Sequence, residues 1–282
     1  MQEPHLFTRG DAKLFGLHFA AEGTPKDFAL VFCNAFGKEF EICRTQVSHF
    51  GRALAARGVG AYRFDYFGYG DSEGDFEQAC LSSMALDLEA AIGEAKRRCR
   101  VERVVVAGIR FGAVVAEAVA ARQPDLAGLV MWAPTLRPWD YFYEALRQTM
   151  SMQTTLFREI KITRDQIVEN VLAGRPSMVE GYDLNCTDEG FPLGAAMVRE
   201  LKELSMSKLA QGVKARTLLV HVSKRAEPPP RPMAEHSETL ASHGAACEVE
   251  TAVEPTMPWI HDNVFAAESP DLFGKTFRWL GV

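Results

Sequence analysis

Residues Arg103–Ala113 read RVVVAGIRFGA, and this stretch decides the fold. Three consecutive valines in Arg103–Ala107 make a short run of β-branched residues, the composition of a strand covered on both faces. Gly108-Ile109-Arg110-Phe111-Gly112 supplies the glycines of a sharp turn. Ala113–Arg122 (AVVAEAVAAR) then offers the small side chains of a helix packing closely back onto its sheet. Arg110 therefore stands at the tip of a strand–turn–helix unit, at the head of the helix.

The same alternation extends outward on both sides. Residues 5–20 read as two short strands around the turn pair Gly10-Asp11. Phe28–Cys33 (FALVFC) is a continuous apolar run of strand length, and Asn34–Glu41 reads as a loop. Ser48–Arg57 is an amphipathic helix stopped by Gly58, and Val59–Asp65 is the next strand. Leu81–Arg98 is a long helix with Met84, Leu88, Ala91 and Ile92 on its apolar face. Leu126–Ala133 is another buried strand, ended by Pro134. From Thr135 to about Gly212 the alternation stops, and Tyr141–Phe157, Thr163–Leu172 and Pro192–Leu209 read as helices. It resumes with the strand Arg216–Val222, a helix around Met233–His243, the strand Cys247–Val253 and a helix over Asp271–Leu280. Strands alternating with helices predict a mainly parallel, doubly wound α/β sheet. Its core spans 1–134 and 213–282, with an inserted helical cap at 135–212. Ligands bind such sheets beyond the carboxyl ends of the strands.

The bulk composition excludes several partners. A chain of 282 residues, 47% hydrophobic, is long enough for one large core. Its net charge of −6 argues against nucleic acid or an anionic membrane surface as the main partner. The one basic cluster, Lys96-Arg97-Arg98 with Arg100, falls at a helix end, where cations complement the dipole. Six scattered cysteines without a C-x-x-C pair read as reduced thiols. The opening Met-Gln-Glu-Pro-His lacks the basic and apolar regions of a secretory signal, and no apolar run approaches the ~20 residues of a membrane span. The expectation is a soluble, cytoplasmic protein. No histidine spacing suggests a metal: His236 and His243 are seven apart, off one i, i+4 face, and His261-Asp262 are adjacent. No cofactor is expected.

Three landmarks in order carry a family resemblance: CNAFGKE (Cys33–Glu39), RFDYFGYGDSEG (Arg63–Gly74) and GIRFGA (Gly108–Ala113). The chain resembles the α/β-hydrolase superfamily over nearly its whole length. GIRFG stands where that superfamily has its nucleophile elbow, G-x-S-x-G. With WAP (Trp132–Pro134) and Asp140-Tyr141, these motifs resemble the exosortase-associated or biosynthetic-cluster hydrolases, in which arginine often replaces the elbow serine. The resemblance implies an acid after the strand ending near Val222 or Ala133, hence Glu227 or Asp140. It also implies a histidine after the strand ending near Val253, hence His261. Ser72 belongs to a turn motif of the superfamily and reads as structural.

Cys33 ends a strand beside the oxyanion-type loop. It reads either as a buried small residue or as a replacement nucleophile with Arg110 as its positive environment. A guanidinium is always protonated, so Arg110 itself is neither nucleophile nor practical base. Two readings follow. Arg110 clamps a substrate carboxylate, phosphate or developing oxyanion, aided by N–H groups near Ala35-Phe36 and Phe111. Alternatively it forms an internal ion pair with Asp140, Glu227 or Asp65. Cys33, Asn34, Ala35, Phe36, Phe111, Trp139 and Tyr143 are the candidate substrate-binding residues. The functional expectation is an enzyme acting on a small, possibly anionic, acyl ester, thioester or amide, with Arg110 as oxyanion binder and His261 as base. The alternative is a catalytically silent module that binds a small acidic ligand or a protein partner.

Overall fold

The computed structural model describes residues 2–187, 190–260 and 268–282. Strands β1 (Gln2–Arg9) and β2 (Ala12–Phe19) form the expected antiparallel hairpin around Gly10-Asp11. Strand β2 also pairs antiparallel with β4 (Gly60–Phe64). From there the sheet is parallel through β3 (Phe28–Cys33), β5 (Arg103–Ile109), β6 (Gly128–Trp132), β9 (Thr217–Ser223) and β10 (Cys247–Val253). The order is β1-β2-β4-β3-β5-β6-β9-β10. A second hairpin, β7 (Met178–Val179) and β8 (Tyr182–Asp183), stands apart from this sheet.

Helices cover both faces, and the alternation of β5 shows why its sequence is apolar throughout. Val104 and Val106 face the layer of α2 (Leu81–Cys99), α3 (Phe111–Ala120) and α9 (Arg231–Ser242). Val105, Ala107 and Ile109 face α1 (Lys38–Ala55) and α10 (Pro270–Leu280). Each valine buried this way contributes about 1.5–3 kcal/mol relative to an exposed one. On the α1 side Phe50 meets Trp132 edge-on at 4.7 Å and stacks on Phe277 at 5.3 Å. The Trp132 indole N–H donates to Thr276 Oγ1 at 3.0 Å, so this large ring is buried without a polar penalty.

The start of the first helix differs from the sequence expectation. Asn34–Glu41 is not a loop throughout, because α1 already begins at Lys38. Phe40, Cys43, Val47, Phe50 and Leu54 recur at helical spacing and are all buried, and this stripe pulls the helix start back by ten residues from Ser48.

Between β6 and β9 the described residues form α4 (Pro138–Ala145), α5 (Arg147–Phe157), α6 (Arg164–Leu172), α7 (Ala195–Glu203) and α8 (Met206–Gly212). Two stretches read as single helices are thus each divided, at Leu146 and at Leu204-Ser205. Thr163 caps α6 through a reciprocal pair with Gln166. Among the described residues no helix is long and apolar enough to cross a membrane.

The strand order reverses beside β3. From β3 the chain crosses through α1 to β4 on one side, then through α2 to β5 on the other. The carboxyl ends of β3 and β5 therefore border the crevice of a topological switch point.

Candidate functional site

A single residue turns β5 into α3. Ile109 is the last strand residue and Phe111 the first helical one, leaving Arg110 at φ 56° and ψ −120°. A side chain held at this backbone conformation costs about 1–3 kcal/mol. The Arg110 N–H donates to the carbonyl of Trp132 at 2.9 Å, tying the turn to β6. Glycine is required at 112 by close approach: a Cβ there would lie 2.3 Å from the Asn34 carbonyl oxygen and 2.4 Å from that of Cys33. The head of α3 is thereby pressed against the end of β3.

The Arg110 side chain turns toward the start of α1. Its Nε lies 3.2 Å from both carboxylate oxygens of Glu39. The Tyr141 hydroxyl, from α4, donates to Glu39 Oε2 at 2.9 Å. The guanidinium carbon sits 4.7 Å from the Trp259 ring centre and 5.3 Å from that of Tyr141. Cation–π contact and the ion pair thus hold one charge from three directions. Glu39 is only 17% exposed and Arg110 22%. Burial pushes the Glu39 carboxyl above its ordinary range, and Arg110 and the Tyr141 hydroxyl pull part of that rise back. Burial, with the Glu39 charge beside it, raises the Tyr141 hydroxyl well above an ordinary phenol, so it stays a donor.

Arg110, Glu39 and Tyr141 line one cavity of about 360 Å³, together with Phe36, Gly37 and Lys38 and, like Tyr141 from the segment between β6 and β9, Glu144, Arg147 and Gln148. The helices α1 and α3 both start at its wall, and their first-turn N–H groups favour negative charge. Among the described residues no group of three His, Cys, Asp or Glu side chains could hold a metal ion.

The other residues singled out from the sequence distribute unevenly around this cavity. Phe36 lines it, and Phe111 packs beneath, 5.4 Å from the Phe36 ring and stacked on Tyr141 at 6.5 Å. Cys33, Asn34 and Ala35 have no exposed surface and do not line it. Burial drives the Cys33 thiol far above its ordinary range, which removes it as a nucleophile. Asn34 instead braces the fold, its Nδ2 donating to the Phe64 carbonyl at 2.7 Å.

Neither candidate acid approaches Arg110. Asp140 is 66% exposed and pairs with Arg137 at 3.9 Å, because the first turn of α4 directs it to solvent. Glu227 follows β9 as the resemblance implied, but it accepts from Ser223 Oγ at 2.6 Å and contacts His221 at 3.3 Å. Those two contacts hold its carboxyl below the usual range. Asp65 is fully buried with Arg63 and Arg44 beside it, at 3.9 and 4.0 Å. The ion pair considered for Arg110 exists with a different partner, Glu39. Trp139 stacks on Phe142 at 5.9 Å and lies under Lys202, and Tyr143 donates to Asp165 Oδ1 at 2.7 Å. Both belong to packing within the helices between β6 and β9 and not to the cavity wall. His261 lies outside the described residues.

Glu39 and Tyr141 fall within quoted motifs but, like Trp259, were given no site role from the sequence. Reading Asn34–Glu41 as a loop hid Glu39, although an acid in the first turn of the helix was legible once the Phe40-to-Leu54 stripe is followed.

A doubly wound sheet with a one-residue turn at the head of the helix after β5 defines an α/β-hydrolase. Residues 31–224 match the family model of the serine aminopeptidases S33, and the chain belongs to that family. Arg110 is the residue of that one-residue turn. Quorum-quenching protein AidA of Acinetobacter baumannii is 28% identical over 140 residues, a match spanning 48% of this chain. It spans 44% of that relative, so this chain covers less than half of it. Among solved structures, the ferulic acid complex of Est1E from Butyrivibrio proteoclasticus superposes with a TM-score of 0.66 at 16% identity, over 99% of this chain and 100% of that one. An esterase of Pyrococcus furiosus gives 0.63 at 15% identity, over 99% and 91%. The proline iminopeptidase of Mycobacterium smegmatis gives 0.60 at 14%, over 99% and 98%. At these identities the likeness is one of fold.

Proposed function

We propose that this chain is a hydrolase-superfamily enzyme acting on an acyl ester, thioester or amide of a small molecule without a serine nucleophile. Arg110 holds the developing oxyanion or a substrate carboxylate, and the helices between β6 and β9 act as a cap over the site. The observation that carries this reading is the placement of Arg110 at the strained elbow position, lining a cavity with two helix N-termini at its wall. Only Nε of its guanidinium bonds to Glu39 among the described residues, which leaves the two terminal amino groups to meet an oxygen of the substrate. With arginine at the elbow, water is the acceptor of the acyl group. Its base is drawn from two candidates, His261 after β10 and a carboxylate beside Arg110. The unpaired cysteines support a reducing, cytoplasmic setting.

A second reading, a catalytically silent module binding a small acidic ligand or a protein partner, is favoured by one observation. The charge of Arg110 is already matched by Glu39. A panel of p-nitrophenyl esters and N-acetylcysteamine thioesters separates the two. The enzyme reading expects turnover by the wild type and a loss of about 10²–10³-fold in Arg110→Ala, the size found for removing one oxyanion donor. Absence of turnover across the panel, with carboxylates such as butyrate still raising the melting temperature, decides for the silent module.

A further inference from the structure

We propose that Glu39 is the general base of this site, accepting the proton of the water that attacks the acyl carbon, with Tyr141 as a positioning residue for its carboxylate. This assignment rests on the acyl-hydrolase reading above and gives the base role to Glu39 rather than His261. Four observations carry it. Glu39 and Arg110 line the same cavity, so a water accepted by the first and a carbonyl held by the second share one space. Both are set by rigid elements, Glu39 on the first turn of an 18-residue helix and Arg110 at the head of α3. Among the described residues Glu39 Oε1 receives only a shared contact from Arg110 Nε, which leaves acceptor capacity on a carboxylate otherwise fixed by Tyr141. The other described carboxylates weighed for the role are committed elsewhere: Glu144 of the same cavity to Arg147 and Arg164, Asp140 to Arg137 and Glu227 to Ser223. Burial raises the Glu39 carboxyl toward the range in which a carboxylate is an effective base near neutral pH.

The step balances. Water forms a bond from its oxygen to the acyl carbon and passes one proton to Glu39, while the carbonyl electron pair moves to the oxygen held by Arg110. When the tetrahedral intermediate collapses, the bond to the alkoxide, thiolate or amine breaks, and the proton on Glu39 moves to that leaving group. The products are the carboxylic acid and the protonated leaving group, with Glu39 ionised again. Among the described residues, the charged and titratable groups around this carboxylate are Lys38 and Cys43 on α1, Arg110 before α3, Tyr141 and Glu144 on α4 and Arg147 on α5.

The test is a pH profile of kcat and KM, between about pH 4 and pH 9, for wild type, Glu39→Gln, Tyr141→Phe and His261→Ala. The substrates are p-nitrophenyl butyrate and butyryl-N-acetylcysteamine. Glu39→Gln is expected to lower kcat by at least about 10²-fold and to abolish the acid limb, with KM nearly unchanged. Tyr141→Phe removes a donor that stabilises the ionised carboxylate, so the acid limb moves to higher pH. A Glu39→Gln enzyme with wild-type kcat and an intact acid limb overturns the assignment. Should Glu39→Gln fail to melt cooperatively, Tyr141→Phe decides, and an unmoved acid limb counts against Glu39. Turnover lost in His261→Ala but kept in Glu39→Gln removes only this assignment, whereas a wild type inactive on both substrates removes the acyl-hydrolase reading with it.

Discussion

Arg110 and Gly37 hold nearly the same backbone, φ 56° with ψ −120° and φ 56° with ψ −132°, and each directly precedes a helix that opens on the cavity. The first carries a long side chain in a region suited to glycine, and the second is glycine. Strain is therefore accepted where a guanidinium is displayed and avoided where nothing is displayed. Gly37→Ala isolates the backbone cost, because a Cβ at that position meets no atom within 4 Å. The variant is expected to lose about 1–3 kcal/mol of stability through the backbone alone. The measurement is the urea midpoint at unchanged slope, and a midpoint equal to that of the wild type would contradict the argument. The Arg110–Glu39 pair itself could not be read from local pattern, since its members are 71 residues apart. It follows only from register: Cys33 pairs with Gly108, so residues just beyond the ends of β3 and β5 are brought face to face. Asp140 and Glu227 are acids near the right strand ends, but sequence position does not show that a short helix turns one outward and that a neighbouring serine captures the other.

At the scale of elements, the parts legible in the sequence are those with one dominant signal. Strand β5 was marked by its valines, and β10 is found at Cys247–Val253, the limits its alternation gave. The helices between β6 and β9 were harder because their breaks, at Leu146 and at Leu204-Ser205, carry neither glycine nor proline. Helix α3 also contains a feature its small residues do not announce. Glu117 is fully buried, and His236 Nε2 of α9 lies 3.0 Å from both of its carboxylate oxygens. Burial raises the Glu117 carboxyl, opposed by its contact with His236. A carboxyl raised in the folded state is bound to its proton more tightly there than in the unfolded chain. Stability is then lost as pH rises from the unfolded value through the folded one, and is recovered below. Glu117→Gln keeps an acceptor for His236 without a charge to bury. Its stability relative to wild type is expected to improve by about 1 kcal/mol as pH rises from 4.5 to 8, the scale on which neutralising a buried pair acts. Chemical denaturation at the two pH values reads this directly, and a relative stability that falls with rising pH would show that the pair functions as a stabilising salt bridge.

Across the whole molecule, the distribution of buried surface sets which parts open first. Strands β3, β5, β6 and β9 are paired on both edges and covered on both faces, whereas β1 and β10 lie at the sheet margins. The segment between β6 and β9 carries much of the exposed apolar surface, including Leu156, Ile160, Met178 and Tyr182. Its attachment to the sheet differs from helix to helix. On α4, Tyr141 bonds Glu39 and the buried Phe142 lies 6.1 Å from Phe36, so the first helix of the segment is tied to the rim of the crevice. Helix α5 buries only Thr149 and Gln153, and Gln153 spends its amide on the carbonyl of Ile162 and the amides of Lys161 and Ile162, all within the segment. Local opening free energy rises with buried contacts. Hydrogen exchange followed by mass spectrometry is therefore expected to be slowest in β3, β5 and β6 and fastest in α5, with α4 between them. Tyr141→Phe should then speed exchange in α4 while leaving α5 and the central strands unchanged. Equal acceleration in α4 and α5 would mean that these helices open as one unit, and that the bond to Glu39 does not set how tightly α4 is held.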